Sequence, residues 1–149
     1  MGFRVSKHFP DGELAGEIHV EPVEELKATP ATRIIVRDPD ASPDVFVELA
    51  NQLGMTGVTY FVGWSAWLDI APRGVTKASG LQEACDMLGI PANAVLAIGD
   101  GNNDIEMLRW AGRGVAVGDA LEQVRAAADA VTADFDDGGT AVELNRWFD

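Results

Sequence analysis

The chain has 149 residues, 47% of them hydrophobic, and carries 24 acidic against 11 basic side chains for a formal charge of -13. That length supports one ordinary domain burying about 68–70% of its unfolded surface, and the acidic balance leaves no basic stripe for nucleic-acid backbones or anionic membranes. The single cysteine, Cys85, excludes a disulfide framework and a thiolate metal cluster.

In chain order, the start MGFRVSKHF lacks an apolar signal core, and no run approaches membrane-spanning length, so a cytoplasmic protein is expected. From about Gly12 to Pro72 come strand-like runs GEIHV, RIIV, and VTYFV with WLDI, and a helical segment over Asp44–Leu53. This half reads as α+β. His8 and His19 are isolated and read as surface or strand residues. The APRGV turn at Ala71–Val75 marks a boundary, giving segments 1–72 and 73–149. Beyond it the elements alternate: helix Ala78–Leu88, strand Val95–Ile98, helix Asp104–Ala111, strand Gly114–Val117, helix Ala120–Ala128, strand Ala130–Thr132 and a helix near Thr140–Trp147. Such βαβα order predicts a parallel sheet with helices on its faces, an α/β fold. Cys85, with Leu81, Ala84 and Leu88, takes a core position on the first of these helices.

The stretch VLAIGDGNNDIEML, Val95 to Leu108, passes from apolar to acidic and then becomes helical in pattern. A buried strand would end just before Asp100, Gly99 and Gly101 would allow a tight turn, and Asn103 would cap a helix with Asp104 in its first turn. Ordinary turn chemistry accounts for the same residues. A calcium loop is also suggested by the alternation of Asp100, Asn102 and Asp104, but its sixth position is Ile105 and its twelfth Ala111, where Gly and Glu are required. Two carboxylates and an amide at the junction of strand and helix suit a cation held beside an anion.

The runs LDIAPRGVTKASGLQEACDMLGI and AVLAIGDGNNDIEMLRWAGRGVAVGDALEQVRAAADAVTADFDDGG carry a resemblance. They resemble the C-terminal part of haloacid dehalogenase-like (HAD) phosphatases of the Cof-type branch, over about Leu68 to Phe148. Lys77, after an apolar-Pro-x-Gly-Val turn, matches that family's third motif, and Gly99 to Asp104 match its fourth, G-D-G-x-N-D. The preceding segment is similar in pattern to the later portion of the branch's cap domain. The resemblance implies a partial Rossmannoid parallel sheet at 73–149, preceded by a partial α+β cap at 1–72.

It also implies Mg²⁺ beside a phosphate ester. A phosphate monoester is a dianion, so an attacking carboxylate needs both charges neutralised before the two can meet. Asp100 is expected on the metal, since a hard cation prefers oxygen ligands, with Asp104 contributing to the same site through a water or from behind. Lys77 is expected to neutralise a phosphoryl oxygen and the nucleophilic carboxylate, and Asn103 to donate its amide to the phosphoryl group. Lys77 and Asn103 are thus the catalytic and substrate-binding candidates, and Asp100 and Asp104 the metal candidates.

The family's nucleophile is the first Asp of D-x-D-G-T. The nearest approach here is Asp38-Pro39-Asp40, but Ala41 stands for the Gly and Ser42 for the Thr, and 36 residues separate Asp40 from Lys77. That is too few for the remaining core strands and a cap, so the segment reads as a cap strand ending in an Asx-Pro turn. The sequence is therefore expected to be a C-terminal portion, inactive alone, of a phosphatase acting on a small phosphorylated metabolite through an aspartyl-phosphate. The alternative is a non-catalytic assembly module that pairs with itself or another chain. The strand Val95–Ile98 would lack its neighbour, and without charged gatekeepers its edge favours a homodimer. Tyr60, Phe61, Trp64 and Trp67 are candidates for cap core or for substrate selectivity.

Overall fold

The computed structural model describes residues 2–7, 9, 16–52, 58–63 and 67–148. The chain divides into two compact units, Met1–Arg73 and Gly74–Asp149. His8, Leu53 and Trp64 lie outside the described residues, and for Tyr60, Phe61 and Trp67 the description covers only the backbone.

In the first unit, β1 (Gly2–Val5) pairs in parallel with β2 (Glu17–Val20), and α1 (Val23–Lys27) follows. Neither β1 nor α1 was expected from the sequence. The four residues GFRV offer no sustained alternation, and their partner lies 15 positions away in the register Gly2↔Glu17. A second sheet has the order β3-β5-β4, with β3 (Ile34–Arg37) and β4 (Val58–Gly63) both antiparallel to β5 (Trp67–Pro72). Buried Phe46 of α2 (Pro43–Gln52) and Leu68 of β5 pack with Ala41, Leu49 and Ile70. Strand β3 leads directly into an Asx turn: the Asp40 N–H donates to Asp38 Oδ1 at 3.1 Å, and the Ala41 N–H to the Asp38 carbonyl at 3.2 Å.

The second unit is α/β. Its parallel sheet has the order β6-β7-β8, formed by Leu96–Gly99, Arg113–Ala116 and Ala130–Val131. The strands are short and rich in small or β-branched residues, and Val115 and Ala116 are fully buried, as parallel sheets flanked by helices require. The core joins Ala97 and Ala116 to Met107, Leu108 and Ala111 on and after α4 (Ile105–Trp110). Val124 of α5 (Glu122–Arg125) also belongs to this core.

Helix α3 (Lys77–Leu88) begins one residue earlier than expected because Thr76 caps it. Thr76 Oγ1 accepts from the Ser79 N–H at 3.2 Å, and Ser79 Oγ accepts from the Thr76 N–H at 2.9 Å. Gly89 closes it in the left-handed region at φ 68°. Cys85 is buried on it.

Two expected helices are shorter than their patterns suggest. The Ala-rich run to Ala128 leaves the helix after Arg125, because sheet pairing claims Asp129: its N–H donates to the Gly114 carbonyl, and its Oδ2 accepts from the Gly114 N–H, both at 2.8 Å. The last helix, α6 (Gly139–Leu144), gives way to tighter turns through Trp147, whose N–H bonds the Leu144 carbonyl.

Candidate active site

The four candidate residues lie in the second unit, around the carboxyl end of β6. Asp100 follows that strand, Asn102–Asp104 form a 3-10 turn, and α4 continues from Ile105. The helical run therefore starts earlier than expected. Gly101, at φ -98°, is its N-terminal cap, and Asn103 lies within the first turn rather than before it. No side chain of Asn103 or Asp104 caps α4. Asp104 acts in the opposite direction, turning its carboxylate back towards the start of the turn.

Asp104 is 3% exposed. Its Oδ2 accepts from the backbone N–H groups of Asp100, at 3.1 Å, and Gly101, at 3.0 Å. Its Oδ1 forms an ion pair with Lys77 Nζ from the first position of α3. A buried carboxylate needs such partners, because desolvating an unpaired charge is costly. Lys77 is half-exposed and keeps solvent access on the side away from the pair.

The two glycines of the motif serve a different purpose from the one their type suggests. Neither has a positive φ. A Cβ on Gly99 would lie 2.6–2.7 Å from Asp104 Cβ, Cγ and Oδ2, and one on Gly101 would lie 2.7 Å from Asn103 Oδ1. Their bare Cα atoms make room for the two side chains that fold back over them.

Asp100 and Asn103 are exposed, and Asp100 makes no side-chain hydrogen bond to another described residue. The Gly99 carbonyl accepts from the Val117 N–H at 3.0 Å, which ties the end of β6 to the loop after β7. Asn102, at the unspecified position of the motif, accepts through Oδ1 from Gln123 Nε2 of α5 at 3.1 Å. Sequence reasoning did not find Gln123. It lies 21 residues from Asn102 in a segment with no motif, and only the packing of α5 brings them together.

Among the described residues no group of three or more His, Cys, Asp or Glu side chains forms a metal cluster. The donor set suits a hydrated cation instead. One unengaged carboxylate, Asp100, fits Mg²⁺, which keeps several waters and commonly uses one or two carboxylates plus phosphate oxygens. Lys77 and the amide of Asn103 are donors suited to an anion. Asp38, the rejected nucleophile, lies in the other compact unit, at the end of an antiparallel strand.

An acidic turn beyond a parallel strand, paired with a lysine at the head of the preceding helix, is a site of the kind that open parallel α/β sheets place at strand carboxyl ends. The sequence profile of haloacid dehalogenase-like hydrolases matches residues 13–144, and the chain belongs to that family. It is 40% identical over 88 residues to the 5-amino-6-(5-phospho-D-ribitylamino)uracil phosphatase YitU of Bacillus subtilis, covering 57% of this chain and 33% of that protein. To the phosphoglycolate phosphatase of Natronomonas pharaonis it is 41% identical over 106 residues, covering 68% of this chain and 43% of the other. The solved structure of the HAD subclass IIB sugar phosphatase BT4131 superposes with a TM-score of 0.74 at 30% identity, covering 89% of this chain and 49% of that one. The chain thus spans half or less of the length of these relatives.

Proposed function

We propose that this chain is the C-terminal portion of a Mg²⁺-dependent phosphatase that hydrolyses a small phosphorylated metabolite through an aspartyl-phosphate. In this reading the first unit is part of a cap, and the second is the C-terminal part of the catalytic core. The observation that carries it is the Lys77–Asp104 pair behind an unengaged Asp100. The relatives are named for small phosphate monoesters, a ribityl phosphate and phosphoglycolate among them, which supports the same class of substrate here.

Each residue has a task that follows from its surroundings. Asp100 would hold the metal, which supplies positive charge against the phosphate and the attacking carboxylate when bound. Asp104 already accepts from Lys77 and two backbone N–H groups, which supports an indirect part in the metal site. It fixes the Asp100 backbone and holds the lysine in place. Lys77 has three donors, and one on Asp104 leaves others for a phosphoryl oxygen. Asn103 donates its amide to the same group. The attacking carboxylate comes from a D-x-D segment outside these 149 residues. Its oxygen forms the bond to phosphorus as the ester oxygen leaves, and water then cleaves the acyl phosphate to give inorganic phosphate and the free carboxylate.

The sheet offers a second role. Among the described residues β6 pairs only with β7, and Met87, Leu88 and Ile90 at the end of α3 are exposed. A strand edge without a described partner, and exposed apolar side chains elsewhere in the unit, support self-association of the isolated chain, or its pairing with another polypeptide. No described helix is long and apolar enough to cross a membrane.

The test is phosphate release from small phosphate monoesters by the chain supplied with its D-x-D segment. Turnover should require Mg²⁺ and be lost on Asp100→Asn and on Lys77→Ala. Turnover that survives both substitutions would overturn the assignment. Mg²⁺ binding by the 149 residues alone should be weak, and calorimetry showing micromolar affinity indifferent to Asp100→Asn contradicts the site.

A further inference from the structure

We infer that Gln82 is a positioning residue for Lys77: with Trp110 it forms a second tie between the two helices whose amino ends carry Lys77 and Asp104, and so sets where the lysine stands. The inference rests on the phosphatase reading above and adds to its site a residue from outside both motifs.

Three observations carry it. First, among the described residues two side-chain hydrogen bonds join α3 to the stretch 104–110, one from Lys77 to Asp104 and one from Trp110 Nε1 to Gln82 Oε1 at 2.7 Å. They span 27 and 28 residues, so the helices run side by side in one direction, with the ties at matching heights. Gln82 follows Lys77 by five residues, about 7.5 Å along the helix axis. Second, the far tie is anchored at both ends. Trp110 packs against the core that contains Met107, Leu108 and Ala111, and Gln82 Nε2 donates to Asp86 Oδ1 at 2.7 Å, one turn further along α3. Third, the relay has a fixed polarity. The indole can only donate and the ionised carboxylate can only accept, so the group between them must do both, as a carboxamide does.

The consequence is geometric. The near tie ends on a half-exposed lysine, whose flexible four-carbon stem does not hold an angle between two helices. Apolar packing between them is non-directional and leaves that angle to the directional bonds. Gln82 and Trp110 supply the second fixed point. Asp104 is also the acceptor for the Asp100 and Gly101 N–H groups, so a shift of α3 on α4 reaches the backbone of the metal candidate as well as the Lys77 ammonium.

The test has two readouts, both on Gln82→Met, which keeps the shape and helix propensity of the side chain and removes its amide. In the 149-residue chain, followed by amide NMR, the substitution should move the Trp110 indole signal and with it the backbone amide signals of Asp100 and Gly101, which report on Asp104. In the chain supplied with its D-x-D segment, it should lower kcat for Mg²⁺-dependent hydrolysis of an aryl phosphate about threefold to tenfold, the worth of one ordinary hydrogen bond. KM should stay at the wild-type value, because the lysine matters most where charge develops. Rescue separates positioning from a merely structural role. Gln82→Glu combined with Asp86→Asn keeps an acceptor for Trp110 and a donor within the relay, and should return both readouts to wild type. Asp86→Asn alone should change neither. If either readout of Gln82→Met stays at wild type, or the paired substitution fails to restore both, the inference is overturned and the phosphatase site stands. Absence of turnover by the wild-type chain with its segment would instead remove the phosphatase reading, and the positioning role with it.

Discussion

Lys77 and Asp104 stand 27 residues apart in sequence and form an ion pair in which the carboxylate is buried and the ammonium half-exposed. The asymmetry decides what each substitution does. Removing the lysine leaves a buried carboxylate with two backbone donors, whereas removing the carboxylate strands those donors and frees a lysine that water can hydrate. Asp104→Ala should therefore cost about 2–4 kcal/mol of stability from two orphaned N–H groups and a lost charge-assisted bond. Asp104→Asn, which keeps an acceptor, should cost less. Urea denaturation of the two variants orders them, and an Asn variant as unstable as the Ala variant would contradict the backbone role assigned to Asp104.

The motif glycines make a sharper contrast. Gly99→Ala forces a methyl against the buried carboxylate of Asp104, at 2.6–2.7 Å, while Gly101→Ala meets the end of the Asn103 side chain, which can swing away. The first should lose about 1–3 kcal/mol, as overpacking in a tight site does, and the second clearly less. Equal midpoints in chemical denaturation would show that the carboxylate is not packed over Gly99.

At the other end of the sheet, Glu143 of α6 is 1% exposed and accepts from Arg113 Nε at 2.6 Å and Trp147 Nε1 at 3.3 Å. The Arg113 hydrogen bond holds its carboxyl below the usual range, against burial, which pushes it up; the Trp147 bond and the charges of Arg113 and Arg146 act with the first. A lowered folded-state pKa favours the ionised form. Its stabilisation is present above the ordinary value of about 4.3 and is lost as pH falls through that value towards the folded one. Glu143→Gln should lose about 1–3 kcal/mol at neutral pH and show a shallower decline of stability in acid. An acid limb that superimposes on that of the wild type would contradict this.

The edge of β6 predicts the solution state. Leu96–Gly99 carries no charged side chain, and Met87 and Leu88 nearby in sequence to that strand are strongly exposed. Sedimentation of the isolated chain should give a species heavier than 15.9 kDa or a tendency to aggregate. A cooperatively unfolding monomer would count against an uncovered edge.

What was legible in the sequence was periodic or spaced. The alternation after Lys77 announced a parallel sheet, and the spacing of Asp100 and Asp104 placed both beyond β6. What was not legible came from tertiary contact. Asp104 is expected to serve the metal site through a water or from behind, and what the sequence does not show is that it also binds Lys77 and the backbone N–H groups of Asp100 and Gly101. Gly99 reads as a turn residue, yet it is required by the closeness of Asp104. The Ala-rich stretch after Arg125 has helical propensity, but pairing of Asp129 with Gly114 outweighs it. Gln123 carries no motif at all, and its place beside Asn102 is set by the burial of Val124.

The most direct measurement is Mg²⁺-dependent phosphate release from an aryl phosphate by the 149-residue chain, alone and together with its D-x-D segment. The account predicts background turnover by the chain alone, in the wild type and in Asp38→Asn alike, because Lys77 and Asn103 stabilise charge without forming a covalent bond. With the segment supplied, turnover should appear and be abolished by Asp100→Asn. Robust turnover by the chain alone that disappears on Asp38→Asn would contradict the account, since it would place the nucleophile in the turn after β3.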